Sequence, residues 1–581
     1  MRLPGRILGI LAALLLLATP ASLATTYVVH ADGTGDFPTI QAAIDAAGAG
    51  DVIELSDGTF TSAGNRDVDF AGKALEVRSQ SGTPFACVID CAAGPADPHR
   101  GFVFQSGEGS GSVLRGVTIQ HGYAFAPGGA GILCDGASPS ITGCWLFANH
   151  AVDLGGGLLC LGGAAPGVTD CMFLENGTGS GVAGGGAACL SASPSFTDCT
   201  FQANLCQSGG GLYCGDHASP TLTGCQFEGN SATAGGTGYG GGLFAYHHSS
   251  PALTDCGFLE NDGALGAGMA CHDYCDPTFD GCRFTNNSAS AGGGTYFLYY
   301  CFPTLFECTF WNNEADTYGG ALWSGDSAPE IERCTLVGDS AGIDGGGLHC
   351  NRSDPALENT IIAFGRGGAA VYCYDAGTTV VLSCCDIYGN AGGDWVGCIA
   401  SQSGTSGNIS LDPHFCDAGS GNFELAQDSP CAPFTAPNPE CDRIGAWPVG
   451  CTSGIADQPI LPADLPGADP DLSLWCVPHP IKQEATLRFR IPRRLAGAAV
   501  ALEILDASGR AVRSLVPDRG RAGPGAAESP AAADGPSGGG QSGSITWDGR
   551  DRAGHRLPNG IYFARLRVGS LVETRPLRLV R

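Results

Sequence analysis

The side chains that could act as acids or bases are spread thinly along this chain of 581 residues. Acidic residues recur singly at one position of a repeated segment, just before a cysteine: Asp170, Asp198, Asp255 and Glu307. At other copies of this position the residue is Gly143, Gly224 or Gly281. Alternation of Asp with Gly at one position is typical of a turn. General acid–base chemistry needs paired carboxylates, and these single acidic residues do not provide a pair. The sequence therefore predicts no catalytic residue here.

Basic residues, histidines and cysteine pairs show no catalytic or metal-binding arrangement either. Both lysines lie outside the repeats, and the arginines of the repeats fall at unrelated positions. The pairs that stand out are His247-His248, His272-Asp273 and Cys271/Cys275. The cysteine pair lacks the second pair that a structural zinc site requires. We therefore expect no catalytic residue, no metal site and no cofactor.

A repeat organises the middle of the chain. It consists of a proline, an apolar-Thr-Asp/Gly-Cys step, F-x-x-N and then G-G-G-L-x-C. The prolines are at positions 139, 166, 194, 220, 251, 277, 303, 329 and 355. Most of the steps between them are 26 residues, and the others lie between 26 and 31. A fixed period in the twenties is typical of a solenoid.

The repeat contains short strands and no helical stripe. In the copy that begins at Pro166, Cys171 and Phe173 are two residues apart, as are Ala187 and Cys189, which matches one face of a strand. Glycines separate these runs, and no ten-residue helical pattern fits between them. We predict an all-β fold, a right-handed parallel β-helix in which each strand pairs with its equivalent one coil later.

One asparagine per repeat is predicted to lie inside the solenoid. The residues are Asn149, Asn176, Asn204, Asn230, Asn261, Asn287 and Asn313, and Asp339 takes the next position. Asparagine accepts left-handed backbone and bonds to neighbouring backbone groups. The series indicates a structural ladder that joins successive coils.

The motifs F173-L-E-N, F201-Q-A-N, F227-E-G-N, F258-L-E-N, F284-T-N-N and F310-W-N-N, each followed by a G-G-[GA]-[LA]-like run, resemble the repeats of polymorphic outer membrane proteins. Those proteins are surface-exposed β-helix adhesins and autotransporter passengers. The resemblance covers about residues 128–390. It implies the architecture and, by analogy, a surface location, and it implies no enzymatic activity.

Strand alternation also predicts an exposed aromatic column. If the Leu and Cys of G-G-G-L-x-C point inward, the residue between them points outward. The aromatic residues and histidines at that position, and two residues further on, are Tyr213, Phe244, Tyr246, His272, Tyr296, Trp323, His349, Tyr372 and Tyr374. Aromatic faces stack on sugars and anchor protein contacts. We interpret the column as a binding face, with cover by a loop or by the C-terminal domain as the alternative.

Charge and leader composition indicate an exported acidic protein. Residues 1–24 carry Arg2 and Arg6, an apolar run and an Ala-rich cleavage region, which predicts a signal peptide. The net charge is −28, and the excess of acidic residues lies before residue 475. An acidic solenoid repels nucleic acid and anionic polymers. We expect no nucleic-acid partner and no transmembrane segment.

The 28 cysteines allow two interpretations. Six repeats carry a pair 10–12 residues apart, as at Cys171 and Cys160, and export permits disulfides. Other repeats keep a single cysteine, which favours a stack of small buried residues. Cys416, Cys431, Cys441 and Cys451 crowd an irregular region and are better disulfide candidates.

The ends of the solenoid are predicted to be capped. We place the β-helix at residues 25–452, with regular repeats over 128–390 and a C-terminal cap over 410–452. In the N-terminal cap, residues 25–50, a strand precedes a short amphipathic helix that Thr39 begins. This segment resembles the N-terminal entry of pectinesterases and other pectin-lyase-fold proteins. The later catalytic blocks of those esterases are not recognisable, so the resemblance implies the cap alone.

The composition changes after a Pro/Asp-rich linker at residues 453–473. Residues 474–581 contain six short alternating segments, among them L487-R-F-R-I-P, I545-T-W-D-G-R and N559-G-I-Y-F-A-R-L. They predict a small β-sandwich. The series resembles the immunoglobulin-like domain of flagellar hook-capping proteins and the C-terminal sorting domains of type IX secretion. The second resemblance implies export machinery as a partner and attachment to, or release from, the cell surface. A Gly/Ala/Pro/Ser-rich insertion at 519–543 departs from both.

We therefore predict a secreted or surface-attached, non-catalytic β-helix protein that binds a glycan or a surface partner through one face. The alternative is a carbohydrate-active enzyme, a polysaccharide lyase or glycoside hydrolase of the pectin-lyase fold. The ligand is not named by the sequence.

Overall fold

In the computed structural model, the residues described are 24–179, 183–233 and 238–452, and, toward the C-terminus, 473–477, 485–491, 498, 500–506, 510–516, 541–552, 554–558, 560–569 and 571–579. The predicted signal peptide, apart from Ala24, and nearly all of the predicted linker lie outside these residues.

The chain up to residue 452 forms a parallel β-helix with three long sheets, each of which takes one strand from successive coils. Sheet 1 contains Thr26–Val29, Val52–Leu55, Glu76–Ser79, Val113–Arg115, Ser140–Thr142, Gly167–Thr169, Ser195–Thr197, Thr221–Thr223, Ala252–Thr254, Thr278–Asp280, Thr304–Phe306, Glu330–Glu332, Ala356–Glu358 and Val381–Ser383. Sheet 2 contains Gly58–Phe60, Cys87–Asp90, Thr118–Gln120, Trp145–Phe147, Met172–Leu174, Thr200–Gln202, Gln226–Glu228, Gly257–Leu259, Arg283–Thr285, Thr309–Trp311, Thr335–Val337, Ile361–Ala363 and Asp386–Tyr388. Sheet 3 contains Val68–Asp69, Phe102–Phe104, Ile132–Asp135, Leu158–Leu161, Ala187–Leu190, Leu212–Gly215, Leu243–Tyr246, Met269–His272, Thr295–Leu298, Leu322–Gly325, Leu348–Asn351 and Val371–Cys373.

Between sheets 2 and 3, some coils contribute a further short strand, and these strands form two short sheets. One contains Tyr123–Ala124, His150–Ala151 and Gly177–Thr178, and the other contains Ser231–Ala232, Asp262–Leu265, Ser288–Ala291, Glu314–Tyr318 and Ser340–Ala341. The strands of the three long sheets pair in parallel and in register, so that Phe201 lies beside Phe227 and Tyr296 beside Trp323. The register shifts between Ser288–Ala291 and Glu314–Tyr318 in a short sheet, and one pair at the C-terminal end is antiparallel. The all-β parallel solenoid predicted from the 26-residue period is confirmed.

Equivalent side chains stack in columns inside the solenoid. The phenylalanines of the F-x-x-N motifs are fully buried, and their rings lie 4.5–4.8 Å apart and nearly parallel from Phe173 to Phe310. This separation is the spacing between adjacent strands. One contiguous core therefore runs along the whole axis.

The seven asparagines form a buried hydrogen-bonded ladder. The backbone N–H and the Nδ2–H of Asn230 both donate to Oδ1 of Asn261 at 3.0 Å, and Nδ2–H also donates to the carbonyl of Phe201 at 2.9 Å. Asp339 continues the ladder by accepting two hydrogen bonds from Asn313 on Oδ1. Burial raises the pKa of Asp339 to about 7. Its Oδ2 has no partner among the described residues.

The cysteines of the coils from Cys87 to Cys350 are free and buried, which favours the stack of small buried residues over bridges within each coil. Each thiol of the column from Cys144 to Cys334 donates to the carbonyl two residues before it, as Cys171 does to Thr169 at 3.3 Å. Burial is the main reason that the pKa of Cys87 is raised to about 12. These residues act as small apolar core side chains.

Three disulfides hold the C-terminal end of the solenoid. They join Cys373 to Cys398, Cys384 to Cys441 and Cys416 to Cys451. The expectation of bridges in this region is met for Cys416, Cys441 and Cys451, whereas Cys431 is free and donates from its thiol to Asp386.

Both ends of the core are covered. The helix Ile40–Ala46, which Thr39 caps through a 3.2 Å bond to the N–H of Ala42, buries Ile40, Ala43 and Ile44. At the other end the chain folds back over the outer surface of sheet 2, where Arg333 pairs with Asp442 at 2.6 Å. The elements of this end are the 3₁₀ helices Gly397–Gln402 and Ala418–Ser420 and the strands Phe415–Asp417, Asn422–Ala426 and Val449–Cys451; a third 3₁₀ helix, Pro84–Ala86, lies near the N-terminus.

The C-terminal residues form two antiparallel sheets. The strands are Ser473–Val477, Ala485–Ile491 and Gln541–Trp547 in one, and Ala511–Val516, Val500–Leu505, Gly560–Val568 and Leu571–Leu579 in the other. Trp547, Leu502 and Leu566 lie in their shared core. No helix of the described residues has the length and apolar character to span a membrane.

Candidate functional site

The aromatic column predicted to be exposed on sheet 3 is mostly covered. Phe244, Tyr296, Trp323 and His349 retain between 2% and 8% of their accessible surface. Strand alternation does aim them away from the coil interior, but Phe244, Tyr296 and Trp323 pack in a second apolar cluster outside sheet 3, and the ring of His349 stacks against Trp323. The expectation of exposure is wrong for these four residues, which we call the covered column.

The cover comes from the glycine-rich loop that precedes each strand of sheet 3. Tyr239 stacks on Phe244 with ring centroids 5.1 Å apart, and Tyr318 contacts His349 at 4.7 Å. Leu265 and Ala291 belong to the same cluster. The sequence carried a signal for this cover, because Tyr239, Leu265, Ala291 and Tyr318 each stand five residues before a column position.

His349 is the polar residue of the covered column. Its ring stacks between Trp323 at 5.9 Å and Tyr372 at 5.5 Å. Neither ring nitrogen has a hydrogen-bond partner in the part of the chain that is described. Burial lowers its pKa to about 4, so the imidazole is neutral at neutral pH.

The other predicted residues differ in exposure. Tyr213 and Tyr372 are half-buried, and Tyr246 and Tyr374 are 37% and 60% exposed. His272 is half-buried, and its ring is surrounded by three tyrosines: Tyr239 at 5.7 Å, Tyr246 at 5.7 Å and Tyr299 at 5.0 Å. We call these four residues the central patch.

The centre of the patch has an unused hydrogen-bonding group. Nδ1 of His272 is buried and lacks a hydrogen-bond partner among the described residues. Burial lowers the pKa of His272, which favours the neutral imidazole, with one donor and one acceptor nitrogen. Rotation of the ring by a half-turn exchanges its edges, so that either edge can face a ligand.

A second aromatic series, which sequence reasoning missed, lies at the turn that follows sheet 3. His217, His248, Tyr274 and Tyr300 are exposed and stack in successive coils at 5.0, 5.1 and 5.1 Å, with ring planes within 8–18° of parallel. We call these four residues the turn ladder. Their spacings of 31, 26 and 26 residues match the proline steps and were the available signal.

The turn ladder is joined to the central patch along the chain and in space. Tyr299 precedes Tyr300, and the ring of His247 lies 6.0 Å from Tyr246 and 5.0 Å from His248. Tyr274, Tyr299 and Tyr300 are each more than 40% exposed. Together the two sets make one continuous surface of tyrosine and histidine.

The turn that carries the ladder is strained. Tyr274 and Tyr300 both have φ of +60°, in the left-handed region. The residues before them, Asp273 and Tyr299, are also left-handed, with φ of +71° and +59°. In an earlier coil Gly162 and Gly163 form the same two-residue turn, with φ of +61° and +79°. Left-handed backbone costs a residue with a side chain about 1–2 kcal/mol, and glycine almost nothing. The tyrosines are therefore not needed to form this turn.

A polar cluster near the N-terminus is the richest group of titratable residues in the first coils. His99 Nε2 lies 3.0 Å from Asp97, its Nδ1 contacts Asp67, and Arg66 pairs with Asp97 at 3.2 Å. Asp67 also accepts the backbone N–H of Arg100 at 2.8 Å. Both nitrogens of His99 are engaged, which leaves neither free to take a proton from a substrate. The cluster therefore ties down the loop.

Solved structures superpose on this chain only weakly. The superposition on pectate lyase Pel9A has a TM-score of 0.34, with 12% identity, and covers 74% of this chain and 97% of that one. The superposition on the catalytic unit of a thermostable GH87 α-1,3-glucanase from Streptomyces thermodiastaticus strain HF3-3 has a TM-score of 0.34, with 12% identity, and covers 66% of this chain and 70% of that one. For pectin methylesterase from carrot the TM-score is 0.22 and the identity 11%, and the superposition covers 70% of this chain and 94% of that one. Similarity at this level carries no information about activity.

No curated protein matches the chain. Residues 156–336 match a family model described as a right handed beta helix region. This stretch contains the most regular coils, the covered column as far as Trp323, the central patch and the turn ladder. The match supports the right-handed sense predicted for the parallel β-helix.

Proposed function

We propose that this chain is an exported, non-catalytic β-helix protein that binds a polysaccharide through the central patch and the turn ladder. One observation carries the proposal: an exposed surface of stacked tyrosine and histidine occupies turns that glycine forms without strain elsewhere in the same solenoid. Residues held in strained conformations cluster at binding sites.

The chemistry of the surface suits sugars. Tyrosine gives apolar contact area together with a hydroxyl group, and loses little conformational entropy when it binds. The unpartnered nitrogen of His272 adds a hydrogen-bonding position in the middle of the patch. Repetition at the coil spacing suits an extended polymer better than a compact molecule.

Export is supported by composition and by disulfides. The three disulfides are typical of an oxidising compartment. The predicted signal peptide and the antiparallel C-terminal sheets fit a surface or secreted protein whose last residues, 474–581, serve as an immunoglobulin-like sorting domain.

The test uses the full chain and a panel of soluble polysaccharides, with binding measured by calorimetry and cleavage by the release of reducing ends. Changing Tyr299 and Tyr300 together to glycine copies the turn of Gly162 and Gly163. We expect this variant to fold normally and to lose about tenfold or more in affinity, because the hydroxyl groups of two tyrosines, whose hydrogen bonds contribute about 0.5–1.5 kcal/mol each, are removed with their apolar contact area.

The matched control is Phe306→Ala, since Phe306 is an exposed aromatic residue on sheet 1. It should bind as the parent does. Equal affinity of the glycine variant and the parent for every bound polysaccharide would refute the proposed site. Release of new reducing ends by the parent would instead identify an enzyme.

A further inference from the structure

We infer that the ligand of this surface is an uncharged, linear glycan that lies along the turn ladder, parallel to the solenoid axis. The inference rests on the proposed function and names the substrate class of the same site. It follows from three properties of the surface: its charge, the orientation of its rings and their repeat.

The charge of the surrounding coils excludes an anionic polymer. Residues 116–282 contain thirteen Asp and Glu and no Lys or Arg. Asp216, Asp273 and Asp276 stand in the turns of the ladder itself, and Asp216 and Asp276 are exposed. Arg283, in the last coil of the ladder, lies on sheet 2, where its guanidinium is 4.6 Å from the ring of Trp447. A polyuronate on the ladder would therefore approach mainly like charges, which opposes its binding.

The next cation in the turns of the ladder is already paired with a carboxylate. Arg352 lies in a following turn, where its Nε and Nη2 both donate to the carboxylate of Asp326 at 2.6 Å. No group of three or more His, Cys, Asp or Glu side chains in the described residues is arranged to hold a metal ion.

The ring orientation disfavours a cationic polymer. Cations bind to the faces of aromatic rings, which are negative, whereas the edges are positive. In the turn ladder the faces cover one another, so the edges point outward. The nearby carboxylates of Asp216 and Asp276 keep their charge although they accept hydrogen bonds, so a cationic polymer is attracted only by long-range charge, which salt screens.

What the edges do offer is neutral hydrogen-bonding chemistry. The outer ends of the ladder rings carry phenol hydroxyls and imidazole nitrogens, and His272 supplies an unpartnered neutral nitrogen beside them. Each hydroxyl can both donate and accept, as sugar hydroxyls do. A polyhydroxylated neutral chain is the class of polymer that satisfies these groups without bringing charge.

The repeat sets the direction and the length of the site. The rings stand one coil apart, at 5.0–5.1 Å, along the axis. A hexopyranose unit of an extended glycan is about as long as one coil step of about 4.8 Å. A linear chain parallel to the axis therefore meets one ring per sugar unit, and the four rings define about four subsites.

The experiment measures binding of the full chain to neutral glucan, mannan and galactan fragments of increasing length, to polygalacturonate with and without calcium, and to chitosan. We expect at least one neutral series to bind with an affinity that rises with length and levels off near four units. Polygalacturonate should not bind in either condition, and chitosan should show only weak binding that salt abolishes.

Changing His272 to alanine should lower affinity for the neutral fragments by about tenfold, and Phe306→Ala should leave it unchanged. Salt-resistant binding of chitosan or any binding of polygalacturonate that the Tyr299/Tyr300 glycine variant abolishes would overturn the neutral class while leaving the proposed site intact. Affinity that does not depend on fragment length would overturn the axial orientation. Failure of all polysaccharides would overturn the proposed function itself.

Discussion

The covered column and the turn ladder are two aromatic series that run side by side along the same edge of the solenoid. Both repeat at the coil spacing, and both stack ring on ring: Tyr296 on Trp323 at 4.2 Å in one, and Tyr274 on Tyr300 at 5.1 Å in the other. They differ in cover, because a loop residue lies over the first series and none of the described contacts buries the second. Stacking alone therefore does not distinguish a core from a binding surface.

The largest expected effect is at Trp323. Trp323→Ala removes an indole that is 8% exposed and stacked on both sides, and leaves a cavity under the loop. We expect a loss of about 3–5 kcal/mol in the free energy of unfolding, measured by denaturant titration. A loss below about 1 kcal/mol would show that the cover is loose and that the column is open to ligand after all.

The next effect concerns pH and His349. Its folded pKa of about 4 lies below the ordinary value of 6.5, so the protonated form is disfavoured by folding. This stability is present above pH 6.5 and is lost as pH falls toward 4, by up to about 3 kcal/mol. His349→Phe should abolish that part of the decline in thermal unfolding experiments between pH 7 and 4.

His248 is the matched control for the pH experiment, since it is exposed in the turn ladder. His248→Phe makes the same substitution at an exposed histidine. If His349→Phe changes the acid decline no more than His248→Phe does, the burial of His349 does not cause the decline.

The smallest expected effect is at Tyr274. Tyr274→Gly relieves left-handed strain and removes ring contacts with His248 and Tyr300. These terms oppose one another and each is about 1 kcal/mol, so we expect the free energy of unfolding to change by less than about 1 kcal/mol. A loss as large as that of Trp323→Ala would place the turn ladder in the core, and its role in binding would then be dropped.

The amount of structure that can be predicted from the sequence differs between the coil interior and its outer surface. The proline steps predict the coil, and the placement of Asn230 and Phe227 inside it follows from the motif and from alternation. The same alternation predicts that Trp323 points away from the coil interior, which is correct. It does not predict that a loop then covers the side chain. The alternation of the strand does not include the apolar residue five positions upstream, here Tyr318, which was the available signal for the cover.

For the turn ladder the error is of the opposite kind, since an exposed aromatic surface is present that the sequence analysis did not predict. His248 belongs to a pair that stands out in sequence, but neither it nor Tyr274 indicates a ladder there, because their neighbours in the ladder are 26 or 31 residues away and lie in a turn that elsewhere uses glycine. Only stacking of the coils brings the rings within 5.1 Å. Likewise, the free state of Cys171 and the bond between Cys384 and Cys441 were decided by where the coils placed each sulfur.

The sequence by itself determined the solenoid, because a repeated pattern of turn and apolar residues has one way to satisfy every backbone hydrogen bond, which is to pair each strand with its copy. Tertiary structure alone decided which outward side chains meet solvent. That choice depends on the path of loops of variable length, whose contacts join residues distant in the chain, and on the stacking that turns single aromatic residues into a continuous surface.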